Sequence, residues 1–333
     1  MSDLEWEQVR NRSTLMNVSV ILCTFNRCRL LPAALESIAA SNMPSGVTWE
    51  VLVVDNNSTD QTREVVEAFS RQYPRRFRYL FEQRAGKSYA LNAGIGTAKG
   101  EVLAFVDDDV TVAPEWLRNI VAPLRDGGFA GTGGRVVPHW TTDVPEWLAA
   151  DGWMLAGPLV SFDRGTEGCI LNESPVGTNM AFQRRVFEQY GGFRLDLGPS
   201  PHNEIRNEDS EFARRLFRGG ERLFYVPGAV VYHPVTEDRL HKKYFLAWWF
   251  DKARSEIREN GVPRDTRLIR GVPLHLFRRL ARWTVQWAIG MKPSHRFECK
   301  MKTWYTAGLM LECRNSFRSS RVLSEATMGS RTT

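Results

Sequence analysis

Three consecutive carboxylates end an apolar run in AFVDDDVTV, residues 104–112. The run 102–106 predicts a buried strand that stops at Asp107, Asp108 and Asp109. Neighbouring like charges repel by about 1 kcal/mol per pair in water, so a bound cation is the simplest offset. Because side chains alternate along a strand, Asp107 and Asp109 are expected to point together, with Asp108 turned away. Two carboxylates suit a Mg²⁺ or Mn²⁺ ion whose remaining coordination positions are open to phosphate oxygens.

Two other apolar runs also end in polar residues, TFN at 24–26 and DNN at 55–57. Helical patterns separate the runs, which predicts a mostly parallel sheet with helices on both faces. Parallel sheets bind ligands outside the carboxyl ends of their strands. Thr24, Asn26 and Asp55 are therefore expected beside the acidic triplet. An acidic run alone is usually a solvated loop, and the convergence of three strand ends is what indicates a site.

A divalent cation at this edge of the sheet would suit a reaction in which a diphosphate departs, because the cation neutralises the negative charge that develops on the diphosphate. Asp55 is placed to accept N–H groups of a base or hydroxyls of a ribose. His233 follows the apolar run 229–232 and could add an imidazole ligand that favours Mn²⁺, with a hydrogen-bonded strand-end histidine as the alternative. Glu208 and Asp209 open a predicted helix, where acidic residues also serve as purely structural caps.

Two other nucleotide-using classes are disfavoured. A nicotinamide-dependent dehydrogenase needs a G-x-G-x-x-G turn after its first strand. The corresponding turn here is TFNRCR, residues 24–29, which contains no glycine. A nucleotidyltransferase also lacks support, because no phosphate-cradling glycine-rich loop follows the first strand. It stays open as a second enzymatic alternative.

Four segments in succession resemble the motifs of family 2 glycosyltransferases with the GT-A fold. They are VSVILCTFNR, VLVVDNNSTD, GKSYALNAGIGTAKGEVLAFVDDD and NEDSEFARRLFRGG. The resemblance covers roughly residues 17–235. It implies a Rossmann-like α/β fold and the transfer of a sugar from a nucleotide-diphospho-sugar, with inversion at the anomeric carbon.

The resemblance also implies roles for individual residues. Asp209 matches the general base of the Glu-Asp pair, with Glu208 beside it. Asp107 and Asp109 match the metal and diphosphate DxD site, to which His233 is added as a third predicted ligand. The remaining predicted donor-binding residues are Thr24, Asn26, Asp55 (which contacts the base, usually uracil), Lys87, Asn92 and Asp108. Two departures are Leu91, where many members have Arg, and the loose lead PSPHNEIRNED into the Glu-Asp pair.

Composition and charge narrow the class further. The 333-residue chain is 43% hydrophobic, which is ordinary for a globular protein. Its five cysteines form no CxxC pair, and residues 1–16 contain no signal-like apolar run, so we expect a cytoplasmic protein with reduced thiols. The net charge of residues 1–238 is −7, and that of residues 239–333 is +13. We therefore expect residues 1–238 to carry out the chemistry and residues 239–333 to attach the protein to an anionic partner.

The basic part contains a helical pattern in PLHLFRRLARWTVQWAIG, residues 273–290. Leu276, Leu280, Trp283 and Trp287 fall within one arc, and arginines lie off it. This pattern favours an anionic membrane surface, with a helix docked on the rest of the protein as the alternative. No nucleic-acid-binding module appears, so nucleic acid is not an expected partner.

These observations predict an inverting glycosyltransferase at the inner face of the cell membrane. It would use Mn²⁺ or Mg²⁺ and a UDP-sugar, and a glycan or lipid-linked glycan of a cell-surface polysaccharide as acceptor. A catalytically silent nucleotide-sugar-binding scaffold is the non-enzymatic alternative. The predicted division is a polar tail (1–16), a catalytic domain (17–235, with a donor half 17–140 and an acceptor half 141–235), a basic amphipathic helical region (236–314) and a disordered tail (315–333).

Overall fold

The computed structural model describes residues 17–43, 47–126, 128–148, 153–201, 203–263 and 266–329. The chain forms two compact units. The first unit comprises Met1–His139, Val160–Leu195 and Glu208–Pro234; the second comprises Trp140–Leu159, Asp196–Asn207 and Val235–Thr333. The segments 140–159 and 196–207 therefore group with the C-terminal part. The predicted division placed residue 140 at the end of the donor half and the other residues of these segments in the acceptor half.

Strands and helices alternate through the first part of the chain. Their order is β1 (Asn17–Thr24), α1 (Leu31–Ala39), β2 (Thr48–Asp55), α2 (Thr62–Gln72), β3 (Phe77–Phe81), α3 (Lys87–Thr97), β4 (Val102–Asp107), β5 (Thr111–Val112), α4 (Trp116–Asp126) and β6 (Gly131–Trp140). The later elements are α5 (Trp153–Ala156), β7 (Cys169–Leu171), β8 (Asn179–Gln183), α6 (Arg184–Tyr190), α7 (Glu208–Arg218), β9 (Leu223–Val235), α8 (Lys242–Asn260), β10 (Leu268–Ile269), β11 (Val272–Pro273), α9 (Leu274–Ile289) and α10 (Pro293–Gly329).

The main sheet has the strand order β3-β2-β1-β4-β8-β6-β9-β5, with β7 paired to β9. Strands β1 to β4 pair in parallel, whereas β8 runs antiparallel to both β4 and β6. The predicted α/β sheet is confirmed, and the antiparallel extension beyond β4 makes it a mixed sheet.

Side-chain alternation divides the core between the two faces of the sheet. Val20 and Leu22 of β1 pack on one face with α1, α2 and α4. Ile21, between them, packs on the other face with α3, α6 and α7. Each face of β1 is fully buried, which explains why its sequence is a continuous apolar run instead of an alternating one.

The second unit is largely helical. Phe245 and Trp249 of α8 are buried in a cluster that also contains Met301 of α10, so these aromatics of the YFLAWWF segment are docked. Helix α10 continues to Gly329 through much of the region predicted as a disordered tail. No proline or glycine interrupts residues 315–328, so nothing in the backbone chemistry stops the helix there. None of the helices in the described part of the chain is long and apolar enough to cross a bilayer.

Candidate active site

The three polar strand ends meet at one edge of the sheet. β1 lies between β2 and β4, and the strand register pairs Thr24 with Asp55 and Cys23 with Asp107. This arrangement follows from the parallel pairing, because neighbouring strands of equal phase end together. The structure thus brings the TFN, DNN and DDD segments side by side, as their sequence positions predicted.

The Asp55 carboxylate is buried and held by two hydrogen bonds. Its Oδ1 accepts the Ser58 amide at 2.9 Å, and its Oδ2 accepts the Tyr79 hydroxyl at 2.8 Å. Burial and the bond to Asp55 raise the pKa of Tyr79, so the phenol stays a donor. Each carboxylate oxygen has a second lone pair, so Asp55 retains acceptor capacity for a ligand N–H or O–H group.

Asn26 joins the loops that follow β1 and β2. Its side-chain Oδ1 accepts a hydrogen bond from the backbone N–H of Thr59 at 2.8 Å, and its backbone N–H donates to Ser58 Oγ at 2.9 Å. Asn26 adopts a left-handed backbone conformation, with φ 52°, which asparagine tolerates better than most residues. In this structure Asn26 ties the loop after β1 to the loop after β2, and a direct contact to a nucleotide stays a prediction.

Asn56 is a positioning residue that sequence reasoning missed. Its Nδ2 donates to the carbonyl oxygens of Glu82 and Arg84 at 3.2 and 2.7 Å, and its Oδ1 accepts the Gly86 amide at 2.7 Å. These bonds fix the loop that leads into α3 and therefore the start of the helix at Lys87. The available signal was an amide side chain in the second position of DNN, inside a strand-end cluster.

Lys87 links the two acidic motifs. Its Nζ donates to Asp107 Oδ1 at 2.7 Å and lies 3.8 Å from Glu208 Oε1. Burial would lower the pKa of Lys87, but the two carboxylates raise it, so the lysine is a cation. Burial would likewise raise the pKa of Asp107, and Lys87 holds it below its ordinary value. For Glu208, burial dominates and raises the pKa, with the neighbouring Asp209 adding to the effect.

Asp109 lies between a second cation and a histidine. Its Oδ2 accepts from Arg27 at 3.1 Å, and its Oδ1 is 3.9 Å from His233 Nε2. His233 is only 3% exposed. Arg27 was not among the predicted site residues, since an exposed arginine in a turn gives no sequence signal of the carboxylate it will meet.

Asp108 is the most deeply buried of the three aspartates, with 8% of its surface exposed. Burial, and then the adjacent Asp109, raise the pKa of Asp108 to about 7, while the nearby Thr24 hydroxyl opposes the shift. The sequence predicted that Asp108 is turned away from Asp107 and Asp109, and the structure buries this residue. The raised pKa favours a proton on Asp108, and that proton relieves part of the repulsion within the triplet.

Two of the predicted metal ligands, Asp109 and His233, lie close enough to share one cation. Two donor atoms that each lie about 2.1 Å from one hard cation are at most about 4.2 Å apart. The 3.9 Å between Asp109 Oδ1 and His233 Nε2 satisfies that limit. Within the described ranges, no group of three or more His, Cys, Asp or Glu side chains is arranged to hold a metal. The predicted ligands Asp107, Asp109 and His233 are therefore not assembled as a three-residue metal site. An ion held by Asp109 and His233 would have to complete its coordination with phosphate oxygens and water, and metal binding here stays a prediction.

Asp209 stands in the first turn of α7 with its carboxylate oriented by backbone amides. Its Oδ2 accepts the Gly177 amide at 2.8 Å, and its Oδ1 accepts the Ser210 amide at 2.6 Å. A β-carbon on Gly177 would lie 3.2 Å from Asp209 Oδ2, so any larger residue here would push the Asp209 carboxylate away from this position. Gly177 was not predicted, because a contact between residues 32 positions apart leaves no local pattern.

Asn92 is hydrogen-bonded to the backbone of Phe193. Its Nδ2 donates to the Phe193 carbonyl oxygen and its Oδ1 accepts the Phe193 amide, both at 2.8 Å. The amide thus ties α3 to the segment that follows α6. Donor contact by Asn92 stays a prediction, and the structure gives this side chain a bracing role.

A mixed α/β sheet whose carboxyl edge carries this acidic cluster belongs to the GT-A class of nucleotide-sugar-dependent transferases. Residues 19–191, just over half of the chain, match the model of Glycosyl transferase family 2. The chain belongs to this family and is a glycosyltransferase. The predicted resemblance is confirmed, and the assignment favours sugar transfer over the scaffold and nucleotidyl-transfer alternatives.

Two relatives and one solved structure illustrate the similarity. Succinoglycan biosynthesis protein ExoM of Rhizobium meliloti is 28% identical over 235 residues, 70% of each chain. Glucosyl-dolichyl phosphate glucuronosyltransferase of Haloferax volcanii is 28% identical over 246 residues, 70% of this chain and 75% of the relative. Mannosyltransferase PcManGT of Pyrobaculum calidifontis, solved with GDP-Man and Mn²⁺, shares the fold with a TM-score of 0.62 at 21% identity, covering 90% of this chain and 88% of that one.

Proposed function

We propose that this glycosyltransferase transfers a sugar from a UDP-sugar to an acceptor hydroxyl, with inversion at the anomeric carbon. The observation that carries the proposal is the position of Lys87 between two acidic groups. Its Nζ lies 2.7 Å from Asp107 Oδ1 and 3.8 Å from Glu208 Oε1. It brings the strand-end acidic triplet and the Glu-Asp pair into one cluster, although they are separated by about 100 positions. The proposed donor site and the proposed general base would therefore lie within one cluster.

The donor would bind along the edge formed by β2, β1 and β4. Asp55, with its remaining acceptor capacity, is suited to the imide N–H of uracil, and the Thr24 and Asn26 loop would border the nucleotide. Lys87 would meet diphosphate oxygens, since a buried ammonium group is a phosphate partner as well as a carboxylate partner. The choice of uracil as the base is the most specific part of this proposal. The solved mannosyltransferase that shares the fold contains GDP-Man, so the fold alone does not select the base.

Asp109 and His233 would hold a Mn²⁺ or Mg²⁺ ion, with Asp107 beside them. When bound, such an ion supplies charge neutralisation to the departing diphosphate. Arg27 now occupies Asp109 Oδ2, and it offers a second positive group near the same phosphates. The protein thus carries two cations of its own, Arg27 and Lys87, at the position where negative charge develops.

Asp209 would act as the general base. As the acceptor oxygen bonds to the anomeric carbon, the bond from that carbon to the diphosphate oxygen breaks, and the hydroxyl proton moves to the Asp209 carboxylate. The amides of Gly177 and Ser210 hold this carboxylate in place. A base on the side opposite the leaving group gives in-line displacement and hence inversion. Glu208 would serve as a positioning residue through Lys87.

The acceptor is proposed to be a glycan or lipid-linked glycan in the synthesis of a cell-surface polysaccharide. ExoM is named for succinoglycan biosynthesis, and the Haloferax relative for a dolichyl phosphate-linked sugar. An acceptor of this kind would place the enzyme at the inner surface of the cell membrane, as a peripheral protein.

The test is release of UDP from UDP-glucose, UDP-N-acetylglucosamine and UDP-glucuronate with Mn²⁺, using water as the acceptor. We expect one donor to be hydrolysed by the wild type, with the β-anomer of the sugar appearing first in the proton NMR spectrum. Asp209→Asn should abolish release, and Glu211→Gln should not, since Glu211 lies in the same helical turn and pairs with Arg215. Release of the α-anomer would overturn inversion, and unchanged release by Asp209→Asn would overturn the base assignment.

A further inference from the structure

Helix α9 has two apolar sides, and one of them is occupied. Leu276 is buried, the Trp287 ring lies 5.8 Å from the Trp304 ring of α10, and Lys302 of α10 lies 4.4 Å from the Trp283 ring centre. The arc of leucines and tryptophans that the sequence offered to a membrane is therefore the side that packs on α10. These residues are not free to enter a lipid surface.

The opposite side of α9 is apolar and exposed. Phe277, Val285 and Ile289 are 39%, 54% and 72% exposed, and Met291, just past the helix end, is 95% exposed. With Ala281, the three helical residues are spaced four apart, so they form one continuous ridge along the helix. We call Phe277, Ala281, Val285, Ile289 and Met291 the outer ridge. A ridge of large apolar side chains in water is costly for a soluble protein unless something covers it.

The sequence around the outer ridge is basic. Residues 266–297 contain seven Lys and Arg residues and no Asp or Glu. Arg278 and Arg282 each follow a ridge residue by one position, and both are exposed. A second copy of this chain meeting the ridge face to face would bring like charges together. The charge pattern instead complements a surface that is anionic and can also take up apolar groups.

We propose that the outer ridge of α9 binds an anionic lipid bilayer, with the helix lying in the plane of the headgroups. An amphipathic helix of this kind buries its apolar side at the boundary of headgroups and acyl chains while its basic residues meet acidic lipids. Phe277, Val285, Ile289 and Met291 would enter the lipid, and Arg278 and Arg282 would pair with headgroup phosphates. Membrane binding by the outer ridge does not require catalysis. The inference rests on the proposed function only in its explanation of why binding would be useful, which is that it brings the enzyme to a lipid-linked acceptor.

The experiment is cosedimentation of the full chain with phosphatidylcholine vesicles, with and without phosphatidylglycerol. We expect the wild type to bind only the vesicles that contain phosphatidylglycerol, and added salt to weaken the binding. The double variant Val285→Glu/Ile289→Glu should lose more than about ten-fold in partitioning. Arg278→Glu should lose about five-fold or more, the effect of one basic residue at an acidic membrane surface.

Matched controls separate the ridge from general changes in charge and folding. Ile170→Glu replaces an isoleucine that is 56% exposed outside the ridge, and Arg71→Glu reverses an exposed arginine on α2; both should partition like the wild type. All variants should keep the wild-type melting temperature and rate of UDP release from the active donor. Equal losses in control and ridge variants would overturn the proposal. So would a ridge variant that changes the oligomeric state in light scattering while the wild type binds no vesicles, because the ridge would then be an interface between copies.

Two results distinguish this inference from the proposed function. A wild type that binds the acidic vesicles but neither binds UDP nor releases it from any donor would support the ridge and overturn the proposed function. A wild type that releases UDP in solution but ignores the acidic vesicles would overturn the ridge alone.

Discussion

Replacing Lys87 by methionine tests the charge balance of the site. The substitution keeps most of the aliphatic stem and removes the cation that lies 2.7 Å from Asp107 and 3.8 Å from Glu208. Exposed ion pairs contribute about 0.2–1 kcal/mol, and removing one partner of a buried pair costs about 3–5 kcal/mol. Lys87 and Asp107 are 24% and 27% exposed, which places this pair between the two cases. We expect a loss of about 2 kcal/mol at neutral pH.

The loss should depend on pH in a defined direction. The pKa of Asp107 is lowered in the folded state, so its contribution is present above its unfolded pKa, about 3.9, and is lost as pH falls through the folded pKa. The pKa of Lys87 is raised, so its contribution is present below about 10.4 and is lost as pH rises through the folded pKa. The destabilisation by Lys87→Met should therefore be largest between these limits and shrink in acid.

The assay is thermal unfolding of the metal-free protein from about pH 2 to about pH 9, so that the scan passes below the unfolded pKa of Asp107. A loss of about 2 kcal/mol corresponds to a fall of about 4–8 °C in melting temperature for a domain of this size. Lys99→Met is the control, since it makes the same substitution at an exposed position. Equal melting temperatures for Lys87→Met and the wild type at pH 7, or a difference that grows as pH falls, would refute the reasoning.

Three further substitutions give distinct outcomes. Asp209→Asn should lower turnover by about 10²–10⁴-fold while calorimetry shows unchanged UDP affinity. Asn92→Ala removes two hydrogen bonds to the Phe193 backbone and should cost about 1–3 kcal/mol in a denaturant titration, again with unchanged UDP affinity. Burial opposes ionisation of Asp60, but hydrogen bonds from Thr62 and Cys28 lower its pKa to about 2; Asp60→Asn should therefore destabilise the protein above pH 4, with the difference from the wild type closing as pH approaches 2.

Each of these three has a contrary result. Weakened UDP binding by Asp209→Asn would place that carboxylate on the donor instead of the acceptor. A donor-affinity loss in Asn92→Ala at unchanged stability would restore Asn92 to the nucleotide pocket. A stability difference for Asp60→Asn that persists unchanged at pH 2 would mean that the loop is held by packing and not by the ionised carboxylate.

The sheet and its edge were predictable because their determinants are local. A continuous apolar run such as that of β1 indicates a strand buried on both faces, and parallel pairing then brings Thr24, Asp55 and Asp107 to one edge. The contacts that orient the site were not predictable. The Arg27–Asp109 pair joins residues 82 positions apart, and the Gly177–Asp209 bond joins residues 32 apart. Such pairs depend on where loops lie in space, which no periodicity encodes.

Helix α9 shows a second limit of periodicity. The sequence pattern identified the arc of Leu276, Trp283 and Trp287, but a pattern does not tell which of two apolar sides meets the protein. The structure packs the tryptophan side on α10 and leaves Val285 and Ile289 outside. The outer ridge was hidden in the sequence, because alanine, threonine and arginine lie between its large residues.

The most direct test of the proposed function is a calorimetric titration of UDP into the wild type and Asp109→Ala, each with and without Mn²⁺. The proposal predicts that UDP binds the wild type much more tightly with Mn²⁺ and that Asp109→Ala removes this dependence. His233→Ala should weaken the metal effect as well, since Nε2 lies 3.9 Å from Asp109 Oδ1. Binding of UDP that is equally tight with and without Mn²⁺, in the wild type and in Asp109→Ala, would contradict the metal-assisted donor site on which the proposal rests.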